Sequence, residues 1–193
     1  MCSPGRKARQ LAITLTELPE QSTDIVPPSA DVREMTRVRE FEVWYDQSFG
    51  RLVGLAALVV GSREAAADLT QDAMVRVMTR WDQLDDPDAY ARRAVVNACN
   101  SYLRRQSLAR RVVSRSRPSR VVLDLHDLTG PLDHRLRKGL ADLRVPERTA
   151  LVLRFWLDLS DLEIAETMGL ARGTVSSMLH RGLARLRESV GDV

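Results

Sequence analysis

The sequence predicts an all-α protein, built as two small helical domains joined by a basic flexible linker. Three observations carry this reading. Apolar residues recur at three- and four-residue spacing in several windows, whereas alternating β-branched runs are scarce. Three Phe, three Tyr and three Trp are too few to build one aromatic-rich core across 193 residues. Between the helical windows lies a stretch rich in Arg and Ser with little period, which divides them into two groups.

Residues 1–39 mix Pro, Ser, Thr and charge, and Pro27-Pro28 interrupts any helix, so a disordered extension is expected there. Met35 is a candidate start residue, and a regulatory arm is the functional alternative for this segment.

Residues 40–108 form the first domain. Phe41, Trp44, Tyr45, Phe49 and Leu52 open a helix that continues through Leu55 and Val59 to Gly61. Ser62 is a cap for the next helix, with Glu64 favourable in its first turn. In that helix Leu69, Ala73 and Val77 face inward at four-residue spacing. Asp68, Gln71, Asp72, Val75 and Met78 form a second, exposed ridge. Carboxylates, an amide and a thioether on one ridge suit a partner protein. The plainer alternative is a set of solvated positions beside a wide apolar face.

An acidic turn follows, with Asp82, Asp85, Asp86 and Asp88 around Pro87. Capping and turn chemistry accounts for these carboxylates better than a Mg²⁺ site does. A third helix over 88–106 buries Ala91, Val95, Ala98 and Tyr102 and sets Arg93, Asn97, Asn100 and Arg104 on another side. Asn can pair with a base edge and Arg with phosphates. Asn also lowers helix propensity, and packing of the Asn pair inside the protein is the alternative.

Residues 109–134, with Pro118 and Gly130-Pro131, are the linker. Net charge is only +3, but nine Arg and no acidic residue fall between Ala89 and Leu123. A one-signed block of that length is an electrostatic footprint for a polyanion.

Residues 135–190 form the second domain. Leu136, Leu140 and Leu143 mark its first helix, Pro146 suits the first turn of the next, and that helix carries Leu151, Val152 and Phe155. Ser160-Asp161-Leu162-Glu163 has the form of a capping box, and Ile164, Ala165 and Met168 point inward behind it. Gly169 allows a tight turn, after which Val175, Leu179, Leu183 and Leu186 make one apolar stripe. The stretch from Leu159 to Arg187 thus reads as a helix-turn-helix. Its outer face carries Thr174, Ser177 and Arg181, flanked by Ser176, His180 and Arg185, with Arg172 just before the helix. Such groups suit base edges and phosphates in a major groove.

No acid/base pair, nucleophile arrangement or Gly-rich phosphate loop is recognisable, so no enzyme, cofactor or small-molecule substrate is expected. Cys2 and Cys99 lack metal or disulfide spacing, and His126, His134 and His180 form no ligand pattern. With no secretory signal and no apolar run approaching ~18 residues, a soluble cytoplasmic protein without membrane insertion is expected.

Ala67-Asp68-Leu69-Thr70-Gln71-Asp72, Ala89-Tyr90-Ala91-Arg92-Arg93-Ala94-Val95-Val96-Asn97 and the segment from Leu159 to Arg187 occur in an order that resembles the extracytoplasmic-function sigma factors of bacterial RNA polymerase. The actinobacterial sigma-E-like subgroup is the most similar, and the likeness spans residues 41–188. It implies that the first domain is sigma region 2 and the second is region 4. It further implies that Asp68, Gln71, Asp72, Val75 and Met78 meet the β′ coiled coil of core polymerase, whose β flap is a further partner. Arg92, Arg93, Asn97, Asn100, Arg104 and Arg105 would read and melt the minus-ten promoter element, with Asn97 beside a flipped base. Arg172, Thr174, Ser176, Ser177, His180, Arg181 and Arg185 would serve the minus-thirty-five element. An anti-sigma protein commonly restrains such factors. Many relatives carry a basic and an aromatic residue where this chain has Ser176 and His180, which puts the upstream contact in doubt. A stand-alone helix-turn-helix regulator is the competing reading, although no dimerisation heptad is visible.

Overall fold

Gly61 and Ser62 make the first sharp break in the chain. Gly61 takes a positive φ of 79° and its N–H donates to the Ala57 carbonyl. The Ser62 hydroxyl then accepts from the Ala65 N–H at 3.3 Å, so one helix ends and the next begins within two residues. This is seen in a computed structural model that describes residues 30–113 and 134–190. The expected disorder of residues 1–29 and the central linker, 114–133, lie outside the described residues.

Seven α-helices are described: α1 (Ala30–Val60), α2 (Arg63–Arg80), α3 (Pro87–Val113), α4 (His134–Asp142), α5 (Val145–Trp156), α6 (Asp161–Met168) and α7 (Arg172–Val190). A short 3₁₀ turn, Trp81–Gln83, joins α2 to α3. No strand occurs among the described residues, and none of their helices is long and apolar enough to cross a membrane.

The first domain packs α1, α2 and α3 together. Every residue from Leu52 to Gly61 is buried, the behaviour of a helix that is apolar all round. Leu69, Ala73 and Val77 of α2 are buried as their spacing predicts, joined by Ala66, Thr70 and Met74. From α3 come Ala91, Val95, Val96 and Cys99, with Ala98 and Tyr102 half-buried at the edge. Phe41 and Trp44 of α1 lean on Trp81, each with ring centroids 5.4 Å away. That aromatic group closes the acidic turn against α1. Asp86 accepts from the Ala89 N–H at 2.8 Å and caps α3, with Pro87 at the helix start. Asp88 accepts from Trp44 Nε1 and from the Ser48 hydroxyl, tying α3 to α1. Asp86 therefore has the capping work expected of this turn, while Asp88 serves a contact between helices instead.

In the second domain Leu140, Leu143, Leu151, Val152, Ile164, Ala165, Val175 and Leu179 are buried. Leu136, Met168, Leu183 and Leu186 pack against that core. Arg148 is buried too, at 1% exposure, and its Nη1 lies 3.5 Å from the Leu140 and Ala141 carbonyls at the end of α4.

Four expectations need correction. α1 begins at Ala30, about three turns before its first apolar period. Glu34, Met35, Thr36 and Val38 are exposed there, so no buried face marks this stretch in the sequence. α3 continues to Val113, beyond residue 106 and into the segment read as linker, because nothing before Pro118 stops a helix. Arg172 is the first residue of α7 rather than its predecessor. Phe155, grouped with Leu151 and Val152, is 68% exposed because it falls on the outer side of α5.

Candidate nucleic-acid interface

Three exposed faces carry the residues singled out above. On α2, Asp68, Gln71, Asp72, Val75 and Met78 are all exposed, the last two at 49% and 47%. They follow from burial of the opposite stripe. Gln71 Oε1 accepts from the Tyr45 hydroxyl at 3.2 Å, which steadies one end of the ridge against α1.

On α3, Arg93, Asn97, Arg104 and Arg105 are exposed and Asn100 is half-buried. Asn97 therefore does not serve packing. Cys99, on the opposite side, is buried, and that burial pushes its thiol pKa up to about 12. Arg92 departs from its neighbours. It turns into a cavity of about 100 Å³ lined by Ser48, Arg51, Leu52, Asp88, Leu157 and Leu159. Its Nε is buried without a hydrogen-bond partner.

The helix-turn-helix is built by local chemistry. Ser160 and Glu163 complete a reciprocal capping box: the Glu163 N–H donates to Ser160 Oγ, and the Ser160 N–H donates to Glu163 Oε2 at 2.8 Å. Donation from the Ser160 hydroxyl and backbone N–H holds the exposed Glu163 carboxyl below its usual range, aided by nearby Arg92. Gly169 ends α6 in the left-handed region at φ 66°, and the Leu170 N–H returns to the Ala165 carbonyl at 2.9 Å. α7 then presents Arg172, Thr174, Ser176, Ser177, His180 and Arg181 to solvent. Ser177 Oγ also donates to the Gly173 carbonyl at 2.9 Å. Arg185 points elsewhere, pairing with the buried Glu147 of α5.

The two domains touch. Trp156, at the end of α5, donates from Nε1 to the Arg51 carbonyl of α1 at 2.9 Å. Its ring lies over Gly54 so closely that a Cβ there would sit 2.4 Å from Cζ2. Leu157 and Leu159 are buried beside it. The described residues from Arg37 onward belong to one compact unit.

This order of surfaces has relatives. The family model for sigma-70 region 2 matches residues 44–116, and that for sigma-70 region 4 matches residues 133–186. The chain is 35% identical over 157 residues to an RNA polymerase sigma-E factor of Streptomyces avermitilis, covering 79% of this chain and 86% of the relative. The chain belongs to the sigma-70 family. An ECF RNA polymerase sigma factor, SigM of Mycobacterium tuberculosis, is 31% identical over 164 residues, covering 76% of this chain and 77% of SigM. Among solved structures, the sigma factor RpoE of Bartonella quintana, in complex with the anti-sigma factor NepR, matches with a TM-score of 0.63 at 21% identity. That match covers 79% of this chain and 97% of RpoE. CnrH, in complex with the cytosolic domain of CnrY, gives a TM-score of 0.54 at 22% identity, with 77% and 85% covered. These two likenesses speak for the fold.

The protein is thus a sigma factor of the extracytoplasmic-function class, which binds core RNA polymerase and directs promoter recognition, and not a stand-alone regulator. Sequence reasoning missed the Trp156–Gly54 contact and the burial of Glu147 and Arg148 in this sigma factor. Each depends on partners remote along the chain or on a packing angle, and no local pattern signals it.

Proposed function

We propose that this sigma factor holds core polymerase by the α2 ridge, opens the minus-ten element on α3 and reads the minus-thirty-five element with α7. Asp68, Gln71, Asp72, Val75 and Met78 would meet the β′ coiled coil. Asn97 is the candidate for the flipped base, with Arg93, Arg104 and Arg105 on the strand backbone and Asn100 at the margin. Upstream, Ser176, Ser177, His180 and Arg181 are the candidates for base edges, with Arg172 and Thr174 at the helix start for phosphate. Work of this kind is binding rather than bond-making. Unstacking costs about a few kcal/mol per flipped base, offset by pocket contacts and Arg–phosphate pairs. Acting on the chromosome, it would work in the cytoplasm, with an anti-sigma protein as its restraint.

What carries this reading is the ordered match of region 2 and region 4 together with exposure of the α2 ridge, of Arg93, Asn97, Arg104 and Arg105 on α3, and of the outer face of α7 from Arg172 to Arg181. Reading both elements requires the domains to part. Elements about 25 base pairs apart are separated by about 85 Å of duplex, whereas a compact body of this size has a radius of gyration of about 15 Å. The twenty residues 114–133 can reach at most about 70 Å when extended, enough for the domains to separate widely.

The test is transcription of fragmented genomic DNA by purified core enzyme with and without this chain, followed by start-site mapping. Added chain should yield a defined set of starts sharing two upstream motifs. Asp68→Ala with Gln71→Ala should abolish polymerase association while helical content stays intact. Unchanged pull-down by that double variant would remove the ridge from the account.

A further inference from the structure

Arg181 and Arg185 stand one turn apart on α7, and both look like phosphate ligands in the sequence. A buried carboxylate separates their roles. Glu147, in the first turn of α5, is 4% exposed. Its Oε2 accepts from Arg185 Nη1, and its Oε1 lies 3.6 Å from Arg181 Nε. Gly182 makes the approach possible. A Cβ at that position would sit 3.0 Å from Leu151 Cδ1 and 3.5 Å from Glu147 Cβ, so α7 lies on α5 with no room to spare at this point.

The consequences for the two arginines differ. Arg185 reaches the carboxylate with a terminal nitrogen, the end a phosphate would need. Arg181 approaches only through Nε at the longer distance, leaving both terminal nitrogens for another acceptor, and its side chain is 55% exposed against 42% for Arg185. A carboxylate buried to this degree holds a cation more firmly than a solvent-exposed pair does, since separating them strands a charge away from water.

We infer that Glu147 is a positioning residue for the recognition helix, withdrawing Arg185 from DNA and orienting Arg181 toward it. The inference rests on the proposed upstream role of α7. It also fixes how α7 rolls on α5, and so which of Ser176, Ser177 and His180 meets the groove.

The experiment uses holoenzyme assembled from full chain and core polymerase. Binding is measured against salt on a mapped promoter and on the same fragment with its upstream element scrambled. Arg181→Gln should shallow the logarithmic salt slope by about one unit. Arg185→Gln should leave the slope unchanged. Glu147→Gln should steepen the slope as Arg185 is released to phosphate, and should lower discrimination between the two fragments by about tenfold. The double variant Glu147→Gln with Arg185→Gln should abolish that steepening.

Equal shallowing by Arg185→Gln and Arg181→Gln would overturn the inference, because Arg185 would then be on DNA. Unchanged slope and discrimination in Glu147→Gln would overturn it as well. If Glu147→Gln fails to assemble with core, the contrast between the two arginine variants decides alone. A parent holoenzyme indifferent to the scrambled element would instead sink the upstream reading of α7, and this inference with it.

Discussion

Asn97 is a poor choice for a helix interior unless something outside the helix needs it. Its side chain competes with the backbone for hydrogen bonds and disfavours the helix by a few tenths of a kcal/mol relative to good formers. Both roles were open in the sequence, packing or base contact, and exposure on α3 decides against packing. Asn97→Ala should therefore leave thermal stability unchanged or slightly raised. It should slow open-complex formation by about tenfold or more, as expected for loss of a base contact, with little effect on closed-complex affinity. Permanganate reactivity of melted thymines, set beside filter binding, separates the two steps; a lower melting temperature would restore the packing role. Glu147 shows the opposite case. In sequence it is an ordinary acidic residue in a first turn, favourable to the helix dipole. Only the close approach at Gly182, thirty-five positions later, turns it into a buried partner of α7. Arg92 likewise belongs by sequence with Arg93, but one step around the helix carries it into the cavity beside Asp88.

At the scale of elements, what could be read ahead was written in neighbouring residues. Ser62, Pro146, the Ser160–Glu163 box and Gly169 act within four residues of themselves, and each does in the fold what its position implies. The start of α1 and the later part of α3 escaped because residues 34–36 and 107–109 are exposed, and helical period is visible only where burial imposes it. Ser160→Ala removes the hydroxyl that caps α6 and should cost about 1 kcal/mol, read as a lower denaturant midpoint. The box also carries a pH signature. Because the folded Glu163 pKa lies below the usual 4.5, its contribution is complete above that value. It is lost as pH falls from 4.5 through the depressed folded value. The stability difference between the parent chain and Glu163→Gln should shrink over that acid window. A difference constant down to the acid limb would mean that the carboxylate has no role in the cap.

The whole molecule presents a conflict between what it is and what it must do. Trp156 meets Gly54 where the two domains touch, yet the two promoter elements of the proposed reading are too far apart for a body in that state. No window of sequence announces this contact, since Gly54 and Trp156 are separated by about a hundred residues and neither has a distinctive neighbour pattern. The division into two domains, by contrast, was plain from the loss of period between them. Gly54→Ala places a methyl 2.4 Å from the Trp156 ring, so the indole must leave and its hydrogen bond to the Arg51 carbonyl, worth about 1 kcal/mol, is lost. Small-angle scattering of that variant should show a larger radius of gyration than the parent chain, with polymerase-dependent transcription retained. Equal radii would mean that the contact does not hold the domains together.

The central claim is that recognition belongs to the complex: two separated faces of one chain, positioned by polymerase on one promoter. Footprinting of a mapped promoter with chain alone, core alone and the two combined tests it most directly. Only the combination should protect two patches about two and a half helical turns apart, with unpaired bases in the downstream one. Full protection of the same site by the isolated chain would contradict the account.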